Sequence, residues 1–220
     1  MTEIYIITVI FLAFIFFEFG FFKIFRNDNM KSKIQLPSSI DYTKYNSTQG
    51  MATSIWGPCA WDFLFTSIMG RYPMEISTKE DINIGNKFSS MLRGLKDTMP
   101  CVYCRKSFEI FIKELPIEPY LVGRIELMFW LYLIKDKVNV KLERQEEKCY
   151  NDEKIRLKGL YHNGNISEQE YYYKVNKFKK ETLITVPTPP FKEVLDKYEN
   201  NRAQCSPKAM KCSKPKDDEF

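Results

Sequence analysis

Prolines cut this chain into helix-length pieces. Pro73, Pro100 and Pro116 separate segments whose apolar residues recur with the helical period, and proline cannot continue a helix because it lacks the N–H and clashes with the preceding turn. Trp61, Leu64, Phe65, Ile68, Met69 and Tyr72 fall at i, i+3, i+4, i+7, i+8 and i+11, one stripe on a helix that Pro73 should end. A second helix carries Ile84, Phe88, Met91, Leu92 and Leu95. A third starts after Pro100, carries Cys104, Phe108, Phe111, Ile112 and Leu115, and stops at Pro116. A fourth is expected from Glu118 to Leu142, with Leu127, Leu131, Ile134 and Val138 on its inner stripe. With no alternating strand pattern, the expected fold is all-α: a four-helix bundle over residues 51–150.

The 220 residues are 44% hydrophobic and 15% aromatic, enough to bury a core of that kind. Lys and Arg number 33 against 28 Asp and Glu, a net charge of +5 that is interleaved along the chain, which argues against a nucleic-acid partner. His162 is the single histidine beside six cysteines, so His-based triads and multi-His metal sites are excluded and the chemistry is expected to be that of sulfur, with no bound metal.

Both ends extend beyond the bundle. Ile4 to Phe22 is apolar apart from Thr8 and Glu18 and is long enough to span a bilayer as a helix; the start Met1-Thr2-Glu3 and the continuation into Lys23 fit a cleaved signal peptide less well. Residues 1–26 are therefore expected to be a transmembrane anchor and 27–50 a polar linker. Lys23, Arg26, Lys31 and Lys33 follow the span and only Glu3 precedes it, which makes this a single-pass membrane protein with its C-terminal body in the cytosol. Residues 151–220 form a polar C-terminal extension. A short fifth helix opens there with a capping box at Ser167 to Glu170 and carries Tyr171, Tyr172, Val175 and Phe178. The pattern breaks at VPTPPF, and Asn200 to Phe220, with Cys205 and Cys212, reads as mobile.

Cys101 and Cys104 form a CxxC directly after Pro100, at a helix start. The free N–H groups and dipole there stabilise a thiolate, a placement suited to disulfide exchange. Three other readings stay open: a thioredoxin-type motif, which lacks its βαβ setting; a zinc site with two of Cys149, Cys205 and Cys212; or buried apolar cysteines. Cys205 and Cys212 could pair across a short loop, either as a shuttle disulfide or as a tail staple.

The landmarks come in the order Trp56-Gly57-Pro58, Trp61, Leu64, Tyr72-Pro73, Pro100-Cys101-x-x-Cys104, Val138-Asn139-x-x-Leu142 and Cys149. Over residues 54–149 this resembles the Erv/ALR family of flavin-linked sulfhydryl oxidases, especially the forms of large DNA viruses. The resemblance implies a helical bundle holding FAD beside the CxxC, with Cys101 as the interchange thiol and Cys104 against the flavin. It assigns cofactor contact to Gly57, Pro58, Trp61, Phe65, Tyr72, Cys104, Lys135, Asp136, Val138, Asn139, Lys141 and Leu142. Phe65, Lys135 and Asp136 stand where the family usually has His, His and Asn. Cys149 matches the first cysteine of the family's structural bridge, but its usual partner position is near Ile166, so it pairs elsewhere, as with Cys59, or stays free.

The implied activity is an oxidoreductase that forms disulfides in dithiol-containing protein substrates. Electrons pass from Cys205–Cys212 to Cys101–Cys104, FAD and molecular oxygen, giving hydrogen peroxide. By resemblance the protein sits in a host or virion membrane and can form a homodimer. The alternative is a flavin-free oxidase fold acting as a membrane-tethered adaptor or disulfide carrier.

Overall fold

The computed structural model describes residues 37–45, 47–48, 50–206 and 211–213. The expected membrane span, Ile4 to Phe22, and the basic residues after it lie outside the described residues. Among the described residues no helix is long and apolar enough to cross a membrane.

The chain divides between residues 49 and 50 into two compact units. In the first, a 3-10 turn at Tyr42–Tyr45 is fastened locally: the Thr43 hydroxyl donates to Asp41 at 2.6 Å and the Tyr42 hydroxyl to the Pro37 carbonyl at 3.1 Å.

The second unit holds the expected four-helix bundle, formed by α1 (Thr53–Arg71), α2 (Lys79–Thr98), α3 (Val102–Glu114) and α4 (Arg124–His162). Helix α1 stops where Tyr72 turns extended before Pro73. Helix α2 opens with a reciprocal cap: Thr78 Oγ1 accepts the Asp81 amide at 3.1 Å, and the Asp81 carboxylate accepts the Thr78 amide at 2.8 Å. Phe65, Ile68, Leu92, Leu127, Trp130 and Leu131 are almost wholly buried where the helices meet. Met91, expected on the inner stripe of α2, is exposed, and Leu92 beside it carries the contact.

The fourth helix corrects the expectation at both ends. Glu118–Tyr120 is a separate 3-10 turn, and α4 starts only after Gly123, where a Cβ would press on the Met74 carbonyl 2.6 Å away. It then runs 39 residues, through the expected boundary at 150, because no Pro or Gly interrupts it before Gly159. The turn after it uses Gly164 at φ +73°. Helix α5 (Glu168–Thr182) folds back on α4 with Leu157 and Val175 buried and Tyr161 stacked on Tyr171 at 5.7 Å. Ser167 caps it as expected, accepting the Glu170 amide at 3.2 Å. The Glu170 carboxylate completes no box, because it pairs with Lys174 at 2.8 Å.

After α5 an extended strap, residues 183–190, leads to a sixth helix, α6 (Phe191–Glu199). Val194 and Tyr198 of α6 are buried in the bundle core, and Phe191 meets Phe129 and Tyr132 at 5.0 and 5.3 Å. Two three-residue strands, β1 (Gln204–Ser206) and β2 (Lys211–Ser213), then pair antiparallel, in a stretch expected to have no fixed structure.

Candidate functional site

Cys101 is the N-cap of α3, in extended backbone, with Cys104 one turn inside the helix. The two are joined as a disulfide, their Cα atoms 5.1 Å apart. Cys101 Sγ also accepts the Cys104 amide at 3.2 Å, so this sulfur sits at the positive end of the helix, where a thiolate is stabilised once the bond is reduced. Both cysteines are half-buried. Tyr103, between them, is 76% exposed.

A second segment crosses this helix start. The Met51 amide donates to the Pro100 carbonyl at 3.3 Å, and a Cβ on Gly50 would strike that same oxygen, with Cys101 Cα 3.4 Å away; the close approach requires glycine. The Trp56 indole donates to the Met51 carbonyl at 3.2 Å, which brings the first turns of α1, with Gly57 and Pro58, to the disulfide end of the bundle. Gly57 itself faces open space.

Helix α4 turns two faces outward. Lys137 and Lys141, one turn apart, bond to α3: Lys137 to Glu114 at 2.8 Å and Lys141 to Ser107 at 2.6 Å. Lys135, Asn139 and Leu142 lie on the other side, at i, i+4 and i+7, and with Thr185, Val186, Pro187 and Pro189 of the strap they line a cavity of about 320 Å³. The strap is tied down at two points. The Glu146 carboxylate accepts the Ile184 and Thr185 amides at 3.1 and 2.9 Å and the Thr185 hydroxyl at 2.6 Å, and the Asn139 amide donates to the Thr188 hydroxyl at 2.8 Å.

Phe65, fully buried on α1, is stacked by Tyr198 of α6, ring centres 5.0 Å apart and planes at 17°. The Tyr198 hydroxyl donates to Asp62 at 2.7 Å, and Lys197 reaches the same carboxylate oxygen at 2.9 Å. Lys135 lies over the Phe65 ring, 5.9 Å from its centre. These groups tune one another. Hydrogen bonds from Lys197 and then Tyr198 hold Asp62 below the usual carboxylate range. Burial, then the bond to Asp62, pushes Tyr198 up. Burial and then repulsion from Lys197 push Lys135 down, against attraction from Asp62.

The residues assigned to a cofactor are thus brought together in part. Trp61, half-buried, lies 6.4 Å from Phe65; Val138 and Asp136 are half-buried on α4. Tyr72 is elsewhere: its hydroxyl donates to the Leu121 carbonyl at 2.7 Å and its ring meets Phe88 edge-on at 5.3 Å, so it is a core residue at the far end of α1.

In this arrangement the face does not fit a flavin dinucleotide. The ring of Phe65 is taken by Tyr198 and the amide of Asn139 by Thr188. The remaining cavity is at the bottom of the range for ligand sites, roughly 300–1,000 Å³, while a dinucleotide carries two ring systems with sugars and phosphates between them.

The other cysteines divide. Cys59 and Cys149 are free and exposed, so the bridge considered for Cys149 does not form. Cys205 stands directly opposite Cys212 in the β1–β2 register, and antiparallel partners sit about 4.5–5.5 Å apart at Cα, within the reach of a disulfide. Among the described residues no cluster of His, Cys, Asp or Glu is arranged to hold a metal ion.

Asp62, Glu146, Thr188 and Tyr198 were not anticipated as site residues. One signal was available: Phe191, Val194, Leu195 and Tyr198 fall at i, i+3, i+4 and i+7 after Pro190.

No curated protein matches the chain. The model of the Erv1 / Alr family matches residues 58–158, a stretch that opens on Pro58, includes the Cys101–Cys104 disulfide and ends within α4, short of the strap and α6. Over residues 58–158 the helical bundle around this disulfide is therefore similar to the Erv1 / Alr family.

Proposed function

We propose that the domain oxidises paired thiols of substrate proteins to disulfides through Cys101 and Cys104. The observation that carries this reading is the Cys101–Cys104 disulfide at the N-terminus of α3, half-buried beside exposed Tyr103. A substrate thiolate attacks Cys101 Sγ; the Cys101–Cys104 bond breaks and Cys104 leaves as thiolate. The second substrate thiol, deprotonated, attacks the substrate sulfur of the mixed disulfide and releases Cys101. The substrate gains a disulfide, and Cys101 and Cys104 hold its two electrons as a dithiol. The Cys205–Cys212 pair, facing in register, is proposed as the relay that meets protein substrates first.

FAD, with oxygen as final acceptor and hydrogen peroxide as product, is the acceptor that the resemblance implies. The covered face of Phe65 favours a second reading, a disulfide carrier without flavin. In both, the apolar run Ile4 to Phe22 is proposed as the membrane anchor, with the domain on the cytosolic side.

The test is thiol loss and oxygen uptake on mixing the oxidised protein with dithiothreitol. A stoichiometric loss of thiols that Cys104→Ser abolishes supports disulfide exchange, and continuous oxygen uptake supports the full oxidase. No thiol loss with the oxidised wild type overturns both readings.

A further inference from the structure

We propose that Arg105 is a positioning residue for thiol exchange at Cys101, its guanidinium standing as a fixed counter-charge for the Cys101 thiolate that each turnover releases. The inference rests on the disulfide-exchange reading of the site and names the group that favours one of its steps.

Arg105 comes four residues after Cys101. On a helix, residues i and i+4 share a face, and long side chains lean back toward the N-terminus. Arg105 follows both rules: its amide donates to the Cys101 carbonyl at 3.0 Å, and its half-buried side chain reaches back to donate to the Met99 carbonyl, two residues before Cys101. The guanidinium is thereby tethered across the start of α3, on the side of the helix that carries Cys101. The next carbonyl is held from another direction, since Pro100 accepts the Met51 amide at 3.3 Å and Gly50 packs against it. With the carbonyls of Met99 and Pro100 both engaged, the turn that presents Cys101 keeps its place beside the charge.

In the oxidised protein this placement is unfavourable. A cation near a helix N-terminus opposes the helix dipole, and no acidic residue stands in the first turn of α3 to offset it. The carboxylates further along the helix are engaged elsewhere, Glu109 with Lys113 and Glu114 with Lys137, each at 2.8 Å. A positive charge without a counter-charge at a positive helix end is a local conflict, and such conflicts collect at working sites.

The missing negative charge arrives during the reaction. When the second substrate thiolate attacks the substrate sulfur of the mixed disulfide, the bond to Cys101 Sγ breaks and its electron pair leaves on Cys101 as thiolate. A thiolate leaves faster the better its charge is stabilised, and a guanidinium stays charged throughout the working pH range. Arg105 thus adds to the helix N-terminus at the moment when this sulfur turns negative.

The test uses the full chain in its reduced form and follows alkylation of Cys101 by iodoacetamide against pH, with fragment masses separating Cys101 from Cys104. Arg105→Gln keeps a donor for the Met99 carbonyl but loses the charge. It should move the midpoint of the Cys101 profile up by about half a unit to one unit, which at neutral pH is an alkylation about three- to tenfold slower. Arg105→Lys, which keeps the charge, should recover at least half of that shift. An unmoved midpoint in Arg105→Gln overturns the proposal, and so does a shift of equal size in Arg105→Lys, which would make the geometry of the turn the cause. The wild type gives a reading that needs no variant: its midpoint should rise as salt goes from about 0.01 to 1 M, because a half-exposed charge is screened. A midpoint indifferent to salt overturns the proposal as well. Thiol loss on mixing the oxidised wild type with dithiothreitol, measured on the same preparation, separately reports whether the disulfide-exchange reading stands.

Discussion

Tyr198 donates its hydroxyl to Asp62, 2.7 Å away and 136 residues earlier in the chain, while its ring lies flat on Phe65. This pairing docks α6 onto α1. A hydroxyl bonded to a carboxylate and a ring buried on a ring fix both the tilt and the depth of α6, which neither contact would do alone.

Acid should release this contact first. The Asp62 pKa is depressed in the folded protein by Lys197 and Tyr198, so its stabilisation is complete above its unfolded value, about pH 4, and is lost as pH falls through the lower folded value. Near-UV circular dichroism should lose the Tyr198 signal below about pH 4, ahead of the helical signal. Asp62→Asn should remove that step and weaken docking at pH 7 by about 0.5–1 kcal/mol, the modest value of a solvent-screened pair. An acid titration of Asp62→Asn that matches the wild type would contradict the assignment.

The two cysteine pairs should separate by substrate. Cys104→Ser should abolish exchange with every dithiol, because Cys101 is then a lone thiol with no disulfide for a substrate thiolate to attack. Cys205→Ser should slow oxidation of reduced proteins more than of dithiothreitol, because a small thiol reaches Cys101 without a relay. Equal slowing with both substrates would remove the relay from the scheme.

Gly50→Ala should destabilise the protein by about 1–3 kcal/mol, the range for forcing atoms into a packed site, because its Cβ strikes the Pro100 carbonyl beside Cys101. Gly94→Ala is the matched control: nothing lies within 4 Å of its Cβ, in the interior of α2, so it should stabilise by up to about 1 kcal/mol. Thermal unfolding of the two variants reads both signs, and a neutral Gly50→Ala would show that the crossing segment is not pressed against α3.

Tyr103 is 76% exposed between Cys101 and Cys104, and on the disulfide-exchange reading it is the aromatic side chain that a substrate polypeptide would cover as its thiol reaches Cys101. Tyr103→Ser should raise KM for a reduced protein substrate several-fold more than KM for dithiothreitol, with stability changed by no more than about 0.5 kcal/mol. A proportional change in the two KM values would assign Tyr103 no docking role.

The helices legible in advance are those whose stability comes from apolar periodicity. The stripe from Trp61 to Tyr72 and the stops at Pro73 and Pro116 are properties of the local chain, and α1 and α3 follow them closely. The second half of α4 has no such stripe; it is held by α5 through Leu157, Val175 and the Tyr161–Tyr171 stack, partners that a local pattern does not reveal. The nine-residue α6 carries a periodic pattern but is too short to be convincing by itself.

The amino-acid sequence by itself determined the all-helical bundle, the placement of Cys101 at a helix N-terminus and the likeness to a thiol oxidase domain, because helix period, proline and a CxxC act over a few neighbouring residues. Only the tertiary structure decided what covers Phe65 and Asn139, where Tyr72 goes, and that Gly50 must be glycine. Those outcomes depend on which distant segment fills a given space, and a close-packed interior gives each space to one occupant.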